Sequence, residues 1–273
     1  MRSARRILLC AAVLPILVAP ACAAPARTPG APAAPVAPPL PDPAAAPVAA
    51  IAPAAAEPPV VVLDAGHNGG NAAHLAEIRR QVPDGRGGTK ECNTTGTQTD
   101  AGYPEHAFTF DVTARAAERL TAAGVRVVLV RTDDTGVGPC VDERGRAGEA
   151  ADADAVVSIH ADGAPHGDRG FHIALPHPPL NPAQEAPSQA LGIALRDAMR
   201  GAGFTDSDYL GVDGISLRAD LAGLNLSTRP VALVECANMR NPDEAAVVSS
   251  PEGRQRYADA IAAGVLTFLA LPR

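Results

Sequence analysis

The chain has 273 residues, a formal net charge of −7 at pH 7 and a hydrophobic content of 47%. This length and apolar content are sufficient for one large α/β domain. Because tryptophan is absent and no basic run with interleaved aromatic residues occurs, nucleic acid and anionic membrane surfaces are excluded as favoured partners.

Residues 1–23 have the pattern of a secretory signal peptide. Three arginines precede an apolar core over 7–18, and small residues around Cys22 offer a cleavage site. The core is shorter than the roughly 20 residues that span a bilayer, so we expect export to the periplasm, cell wall or medium without stable membrane insertion. Lipidation at Cys22 is a less favoured alternative, because the residues before it lack the usual aliphatic side chain.

Residues 24–59 are almost entirely alanine and proline with few charges. Such a composition cannot bury enough apolar surface to fold and predicts a disordered, partly polyproline linker. The remaining residues, 60–273, are expected to form a single catalytic domain.

Strand and helix patterns alternate through this domain. The first strand begins at Val60 and stops before His67, and a polar, glycine-rich stretch follows over 68–103. Pro104 then opens a helix predicted over 105–123. Further strands are predicted over 125–130, 155–159, 170–175 and 231–234, and further helices over 142–151, 187–201 and 251–271. This alternation predicts an α/β fold with an open, twisted, mostly parallel sheet and helices on both faces.

Two of these apolar strands stop at a histidine, His67 and His160. Because functional groups collect at the carboxyl ends of parallel strands, we expect the two imidazoles to share one crevice. Glu105, in the first turn of its helix, points toward the same crevice, and the helix N-terminus favours a carboxylate there. Imidazole and carboxylate groups bind zinc at about 2 Å. Any one of these residues alone is more often an ordinary capped or exposed side chain, but together they indicate a metal site.

Glu235 directly follows the apolar strand over 231–234. Partial desolvation raises the pKa of a carboxyl group toward values that are useful for proton transfer, so this residue is a candidate acid/base. A structural salt bridge is the alternative interpretation for such an acid.

Three cysteines follow the signal peptide. Cys92 and Cys140 lie in polar, glycine-rich loops, whereas Cys236 ends an apolar strand and is expected to be a buried small hydrophobe. Export permits a disulfide, and Cys92–Cys140 is the expected pair. Two free thiols are the alternative, because connectivity cannot be read from a sequence.

Five further histidines are expected at the surface. They are His74, His106, His166, His172 and His177. The last three follow one another closely, but their spacing fits neither a helical nor a loop zinc motif, which argues against a second metal cluster.

Four motifs occur in order between Val60 and the C-terminus. They are Leu63-Asp-Ala-Gly-His67, Glu105 at a helix start, Ser158-Ile-His160-Ala-Asp-Gly163, and Pro230-Val-Ala-Leu-Val-Glu235 followed by Asn241-Pro-Asp-Glu244. In this order they resemble the zinc-dependent N-acetylmuramoyl-L-alanine amidases of bacterial cell-wall turnover. The resemblance implies that His67, Glu105 and His160 bind one zinc ion and that Glu235 is the catalytic acid/base.

The resemblance also implies a reaction. Zinc polarises the amide between the lactyl group of muramic acid and L-alanine and lowers the pKa of its bound water to about 7, while Glu235 moves the proton. Peptidoglycan is the expected partner and a monomer the expected state. Alternatives are a zinc peptidase that cuts within the stem peptide and a catalytically silent wall-binding protein.

The chain departs from the family pattern at two places. Asn68 stands where the family usually has glycine, and the segment 175–188 is short and proline-rich where some relatives insert a helix that plugs the active site. The resemblance therefore implies an enzyme without that plug. Arg218, before the last strand, is expected either to bind a stem-peptide carboxylate or to lie on a helix surface.

Overall fold

A six-stranded sheet forms the centre of the computed structural model, which describes residues 57–271. The predicted signal peptide, residues 1–23, and nearly all of the predicted linker lie outside the described residues. In the part of the chain that is described, no helix has the length and hydropathy needed to cross a membrane.

Eight strands and seven helices alternate along the described chain. The strands are β1 (Val60–Ala65), β2 (Gln81–Pro83), β3 (Thr89–Glu91), β4 (Arg126–Leu129), β5 (Ala155–Asp162), β6 (His172–Pro176), β7 (Ile215–Arg218) and β8 (Val231–Asn238). The helices are α1 (Leu75–Ile78), α2 (Glu105–Ala122), α3 (Val141–Ala150), α4 (Ala186–Gly201), α5 (Ala222–Asn225), α6 (Pro242–Ser249) and α7 (Pro251–Leu269).

The strand order in the main sheet is β4-β1-β5-β8-β6-β7. The first four strands in this order are parallel, β6 is antiparallel to β8, and β7 is parallel to β6. The prediction of a mostly parallel sheet is confirmed. Parallel order brings the carboxyl ends of β1, β5 and β8 to one edge of the sheet, which is where ligand sites form in such folds.

Helices cover both faces of the sheet. Helices α2, α4 and α7 pack on one face around fully buried side chains such as Phe108 and Leu195. On the other face, α3 and α5 pack on a smaller cluster that includes Val62, Val156 and Leu224. Because successive residues of a strand point to opposite faces, both clusters draw on the same apolar runs of β1 and β5.

Helix α2 illustrates how the sequence determines these elements. Phe108, Val112, Ala116 and Leu120 are fully buried and recur every four residues, so they form one apolar stripe against the sheet. The helix is followed by Gly124, whose φ of +84° suits glycine and reverses the chain toward β4.

Some elements differ from the sequence-based expectation. Strand β5 continues through Asp162 and β8 through Asn238, so His160 and Glu235 lie within strands rather than after them. Backbone pairing therefore extends past the point where the apolar run stops. The predictions also missed the β2–β3 hairpin, β7 and the helices α1, α5 and α6. The hairpin strands and the edge strand β7 are short, and the hairpin exposes most of its side chains.

The β2–β3 hairpin lies within the polar stretch over 68–103 and is held at both ends. A disulfide joins Cys92, just after β3, to Cys140 at the start of α3, which confirms the expected pair. Arg86 donates to the carbonyl of Ala219 at 3.0 Å, and Lys90 donates to that of Asp220 at 2.7 Å. The third cysteine, Cys236, is a buried free thiol, as expected.

Candidate active site

Three side chains converge where β1, β5 and α2 meet. The Oε1 atom of Glu105 lies 3.1 Å from His67 Nε2 and 3.0 Å from His160 Nδ1. The three ligand atoms lie within 4.8 Å of one another. The structure thus brings together the three residues that the sequence singled out as a metal site.

His67 sits in a tight turn at the end of β1. Its φ of +58° is in the left-handed region, which is uncommon for a residue with a side chain. The turn is held because Arg144 donates to the His67 carbonyl at 2.7 Å. On the ring, Nδ1 lies 3.2 Å from the carbonyl oxygen of Thr94, which leaves Nε2 directed at Glu105.

Glu105 is the first residue of α2 and is only 4% exposed. Its Oε2 accepts from the backbone N–H of Thr97 at 2.9 Å, and its Oε1 accepts from that of Ala161 at 3.2 Å. Burial by itself raises the pKa of Glu105, but the charge of His67 and the hydrogen bonds of both histidines outweigh it and hold the pKa well below its usual range. Glu105 is therefore an ionised, oriented carboxylate.

His160 lies over Gly66, the residue before His67. A Cβ built on Gly66 would lie 2.3 Å from His160 Cε1, a separation that real Cβ atoms do not show. The backbone of Gly66 is also bound from below, because its carbonyl accepts from the Thr109 hydroxyl at 2.8 Å. Glycine at this position is thus required for the His160 ring to reach Glu105.

The donor set fits zinc. Tetrahedral ligands about 2 Å from one zinc ion are spaced by about 3.3 Å, close to the two observed separations from Glu105. Two imidazoles and one carboxylate are also ligands that zinc prefers, and three protein ligands leave the open position typical of a catalytic site.

Glu235 lies beside this group on β8. It pairs in direct register with His160 on β5. Its Oε2 atom is buried and has no hydrogen-bond partner among the described residues. Burial raises the pKa of Glu235 well above its usual value; the charges of Glu105 and Asp162 add to this, while Arg218 opposes it. This agrees in direction with the pKa shift expected from the sequence, and the structure contains no salt bridge to this acid among the described residues.

A buried ion pair supports the site from below. Arg144 on α3 pairs with Asp64 on β1, and Asp64 also accepts from the Ser158 hydroxyl at 2.8 Å. Arg144 Nη1 donates to the carbonyl of Ala65 at 2.7 Å. Because these groups carry the turn with His67 and the strand with His160, the ion pair links both imidazoles to α3.

The four residues open onto one cavity of about 710 Å³. Its floor is the sheet face that carries Val156 and Leu233, and one wall is the hairpin side, with Lys90 and Thr94. A cavity of this size accommodates a small peptide or a sugar–peptide unit.

The chain matches the family model described as N-acetylmuramoyl-L-alanine amidase over residues 61–267. It is 49% identical over 211 residues to the N-acetylmuramoyl-L-alanine amidase Rv3717 of Mycobacterium tuberculosis, covering 77% of this chain and 86% of that protein. The chain belongs to the N-acetylmuramoyl-L-alanine amidase family. It is therefore an amidase, as the resemblance of its motifs predicted.

Solved amidase structures share the fold. The N-acetylmuramyl-L-alanine amidase Ami1 of Mycobacterium smegmatis is 51% identical, with a TM-score of 0.75 and coverage of 77% of this chain and 96% of that one. The amidase AmiC2 of Nostoc punctiforme is 22% identical, with a TM-score of 0.59 and coverage of 78% and 98%. The more distant likeness supports the amidase fold alone.

Two of the five histidines expected at the surface of this amidase are not exposed. His172 is 0% exposed within β6, so the prediction was wrong. His106 is only partly exposed and contacts Asp134 Oδ2 at 2.8 Å through its Nδ1. His74, His166 and His177 are exposed, as expected.

The structure also places Arg218 and Asn68, two other residues that the sequence analysis singled out. Arg218 ends β7 instead of lying on a helix, and it donates to both carboxylate oxygens of Asp220, at 2.8 and 2.7 Å. Asn68, which replaces the usual glycine, is buried, and its Nδ2 donates to the Gly138 carbonyl at 3.0 Å. Asn68 therefore ties the turn after His67 to the loop before α3.

Sequence reasoning missed the buried arginines. Besides Arg144, Arg131 is buried and donates to the Ala65 carbonyl at 2.9 Å and to the His106 carbonyl at 2.9 Å. One available signal was Asp64, an acid inside an apolar strand, because a buried carboxylate requires a cationic partner.

Proposed function

We propose that this amidase is a zinc enzyme that hydrolyses the amide between N-acetylmuramic acid and L-alanine in peptidoglycan, with zinc held by His67, Glu105 and His160. One observation carries the proposal. Three metal-ligating side chains, with ligand atoms within 4.8 Å of one another, converge beside the buried carboxyl group of Glu235, and all four residues open onto one cavity.

Zinc bound there supplies a Lewis acid that polarises the scissile carbonyl and lowers the pKa of the attacking water. Glu105 keeps its carboxylate ionised and oriented through the N–H groups of Thr97 and Ala161. The tight turn at Gly66 and the Thr94 carbonyl fix the two imidazoles, so the chain presents its ligands preorganised.

Glu235 acts as the acid/base. It takes a proton from the attacking water as the oxygen bonds to the amide carbon, and it returns that proton to the nitrogen as the C–N bond breaks. A raised pKa suits both steps, because the carboxylate is then a stronger base toward the water and the carboxyl group keeps its proton near neutral pH until it reaches the leaving amine.

We also propose that residues 1–23 direct export and that residues 24–59 act as a spacer, so the catalytic domain over 60–273 works as a monomer on peptidoglycan outside the membrane. The basic start and short apolar core of the N-terminal segment support this proposal. The short 3₁₀ turn at Pro182–Gln184, between β6 and α4, is consistent with an enzyme that lacks the plug of some relatives.

Product analysis tests the function. The zinc-loaded protein is incubated with a muramoyl peptide of defined composition, and the products are identified by mass. Release of an intact peptide with a free L-alanine N-terminus supports the amidase reaction. Fragments cut within the stem peptide identify a peptidase instead, and zinc binding without any release identifies a silent wall-binding protein. Glu77→Gln, an exposed acid that does not line the cavity, is the matched control for variants of Glu235.

A further inference from the structure

His172 lies beside Glu235 in the sheet. Strands β6 and β8 are antiparallel, and these two residues are direct partners in their register. Direct partners project from the same face, with Cβ atoms about 5 Å apart. Because His160 is the partner of Glu235 on β5, the three side chains form a row across one face: His160, Glu235, His172.

Both neighbours have unsatisfied polar atoms. His172 is 0% exposed, and among the described residues neither of its ring nitrogens has a hydrogen-bond partner. The same holds for Oε2 of Glu235. Buried polar groups in folded proteins are nearly always hydrogen-bonded. Two adjacent residues with unpaired buried polar atoms therefore require an explanation.

The other groups around His172 are already engaged. The Tyr209 ring meets the imidazole edge-on at 6.2 Å between centroids, and its hydroxyl donates to Asp162 at 3.2 Å. Arg218, at the end of β7, donates to Asp220. Asp162 and Arg218 influence the pKa of both His172 and Glu235, which indicates that the two side chains share one electrostatic environment.

We propose that His172 is a positioning residue for Glu235: its imidazole N–H donates to Oε2 through one water and holds the carboxylate toward the scissile amide. The inference rests on the proposed role of Glu235.

A neutral donor suits this task. Burial lowers the pKa of His172 to about 4, so the ring carries one N–H and no charge at neutral pH. A neutral N–H orients a carboxylate without adding the positive charge that would hold its pKa low. A lysine or arginine at this position would lower the pKa of Glu235 and so make its carboxylate a weaker base at the start of the reaction.

Two substitutions separate positioning from packing. His172→Gln keeps an N–H donor, and His172→Leu fills the buried position without one. We expect kcat of the leucine variant to fall about 10–100-fold with KM and zinc content little changed, and the glutamine variant to recover much of the loss. If His172 only packs, leucine suits the buried strand better than glutamine, and the order of activities reverses. The proposal is overturned if the His172→Leu variant is as active as the wild-type protein or more active than the His172→Gln variant.

An NMR measurement tests the contact without turnover. The ¹⁵N resonances of the His172 imidazole are recorded in the wild-type protein and in Glu235→Gln, with Glu77→Gln as the control. We expect the resonances to shift in Glu235→Gln and not in Glu77→Gln. Unchanged resonances in Glu235→Gln overturn the proposal. If the wild-type protein releases no peptide from a muramoyl peptide, the proposed function fails, whereas the NMR result still decides the contact between the two residues.

Discussion

Arg144 donates from Nη2 to the carbonyl oxygen of His67 at 2.7 Å. A buried guanidinium on α3 thus fixes the turn that carries a proposed zinc ligand, and the same group pairs with Asp64. We therefore expect stability and metal binding to be coupled through one side chain.

We expect Arg144→Met to lose both properties. The substitution leaves Asp64 buried without its cation, which costs about 3–5 kcal/mol of unfolding free energy. Release of the His67 turn lowers zinc affinity about 10–100-fold. Urea denaturation and calorimetric zinc titration measure the two effects.

Arg146→Met is the matched control, because Arg146 lies on the same helix and its side chain is 47% exposed. It should change the unfolding free energy by less than about 0.5 kcal/mol. Asp64→Asn combined with Arg144→Met should recover part of the stability, since no buried charge remains. Wild-type zinc affinity in Arg144→Met would show that the turn does not depend on this arginine.

Gly66→Ala tests the fit between β1 and His160. The added Cβ would lie 2.3 Å from the His160 ring, so the ring must move away from Glu105. We expect a 10–100-fold loss of zinc affinity, measured by competition with a chelating dye. Gly167→Ala is the control, because a Cβ at Gly167 meets nothing within 4 Å. Equal affinities in the two variants would contradict the packing argument.

The buried His172 predicts acid sensitivity of the fold. Burial lowers the pKa of His172 to about 4 in the folded protein, whereas the pKa in the unfolded chain is about 6.5. Between these values the unfolded chain binds more protons, so stability is lost as pH falls from about 6.5 to about 4. The loss attributable to this residue is about 3 kcal/mol.

Urea denaturation of the metal-free protein at several pH values measures this loss, with His172→Gln as the reference. The difference in unfolding free energy between the wild-type protein and the variant should decrease as the pH is lowered from about 6.5 to about 4. Below about pH 4 it should be constant. A difference that does not vary with pH would refute the assignment. Titration of carboxyl groups away from residue 172 occurs in both proteins and cancels in the comparison.

The disulfide between Cys92 and Cys140 should stabilise the fold. It closes a loop with a sequence separation of 48, which corresponds to about 4 kcal/mol in the chain-entropy account. We expect reduction to lower the unfolding free energy of the wild-type protein. The Cys92→Ser/Cys140→Ser variant should have a lower unfolding free energy than the oxidised wild-type protein, and reductant should not change it. If reduced and oxidised wild-type protein unfold at the same urea concentration, the bond contributes no net stability.

Much of the sheet and of the metal site could be predicted from the sequence, because both depend on local signals. The apolar runs of β1 and β5 stop near His67 and His160, and Glu105 follows the proline that opens α2. Parallel strand order then brings the two histidines to one edge of the sheet, and the first turn of α2 adds Glu105.

The supporting groups depend on contacts between distant parts of the chain. Arg144 lies 77 residues after His67, and nothing near it in the sequence indicates which carbonyls it binds. The burial of His172 follows from strand pairing with β8 and from Tyr209, which sequence spacing does not show. Its position inside a predicted strand was nevertheless a signal against surface exposure.

The central claim is that Glu235 moves protons beside a zinc ion that other residues hold. The direct measurement is zinc content together with turnover of a defined muramoyl peptide by Glu235→Ala and His67→Ala. We expect Glu235→Ala to keep one zinc per chain while turnover falls by about 10³-fold or more, and His67→Ala to lose both. Turnover near the wild-type rate in zinc-loaded Glu235→Ala would contradict the account.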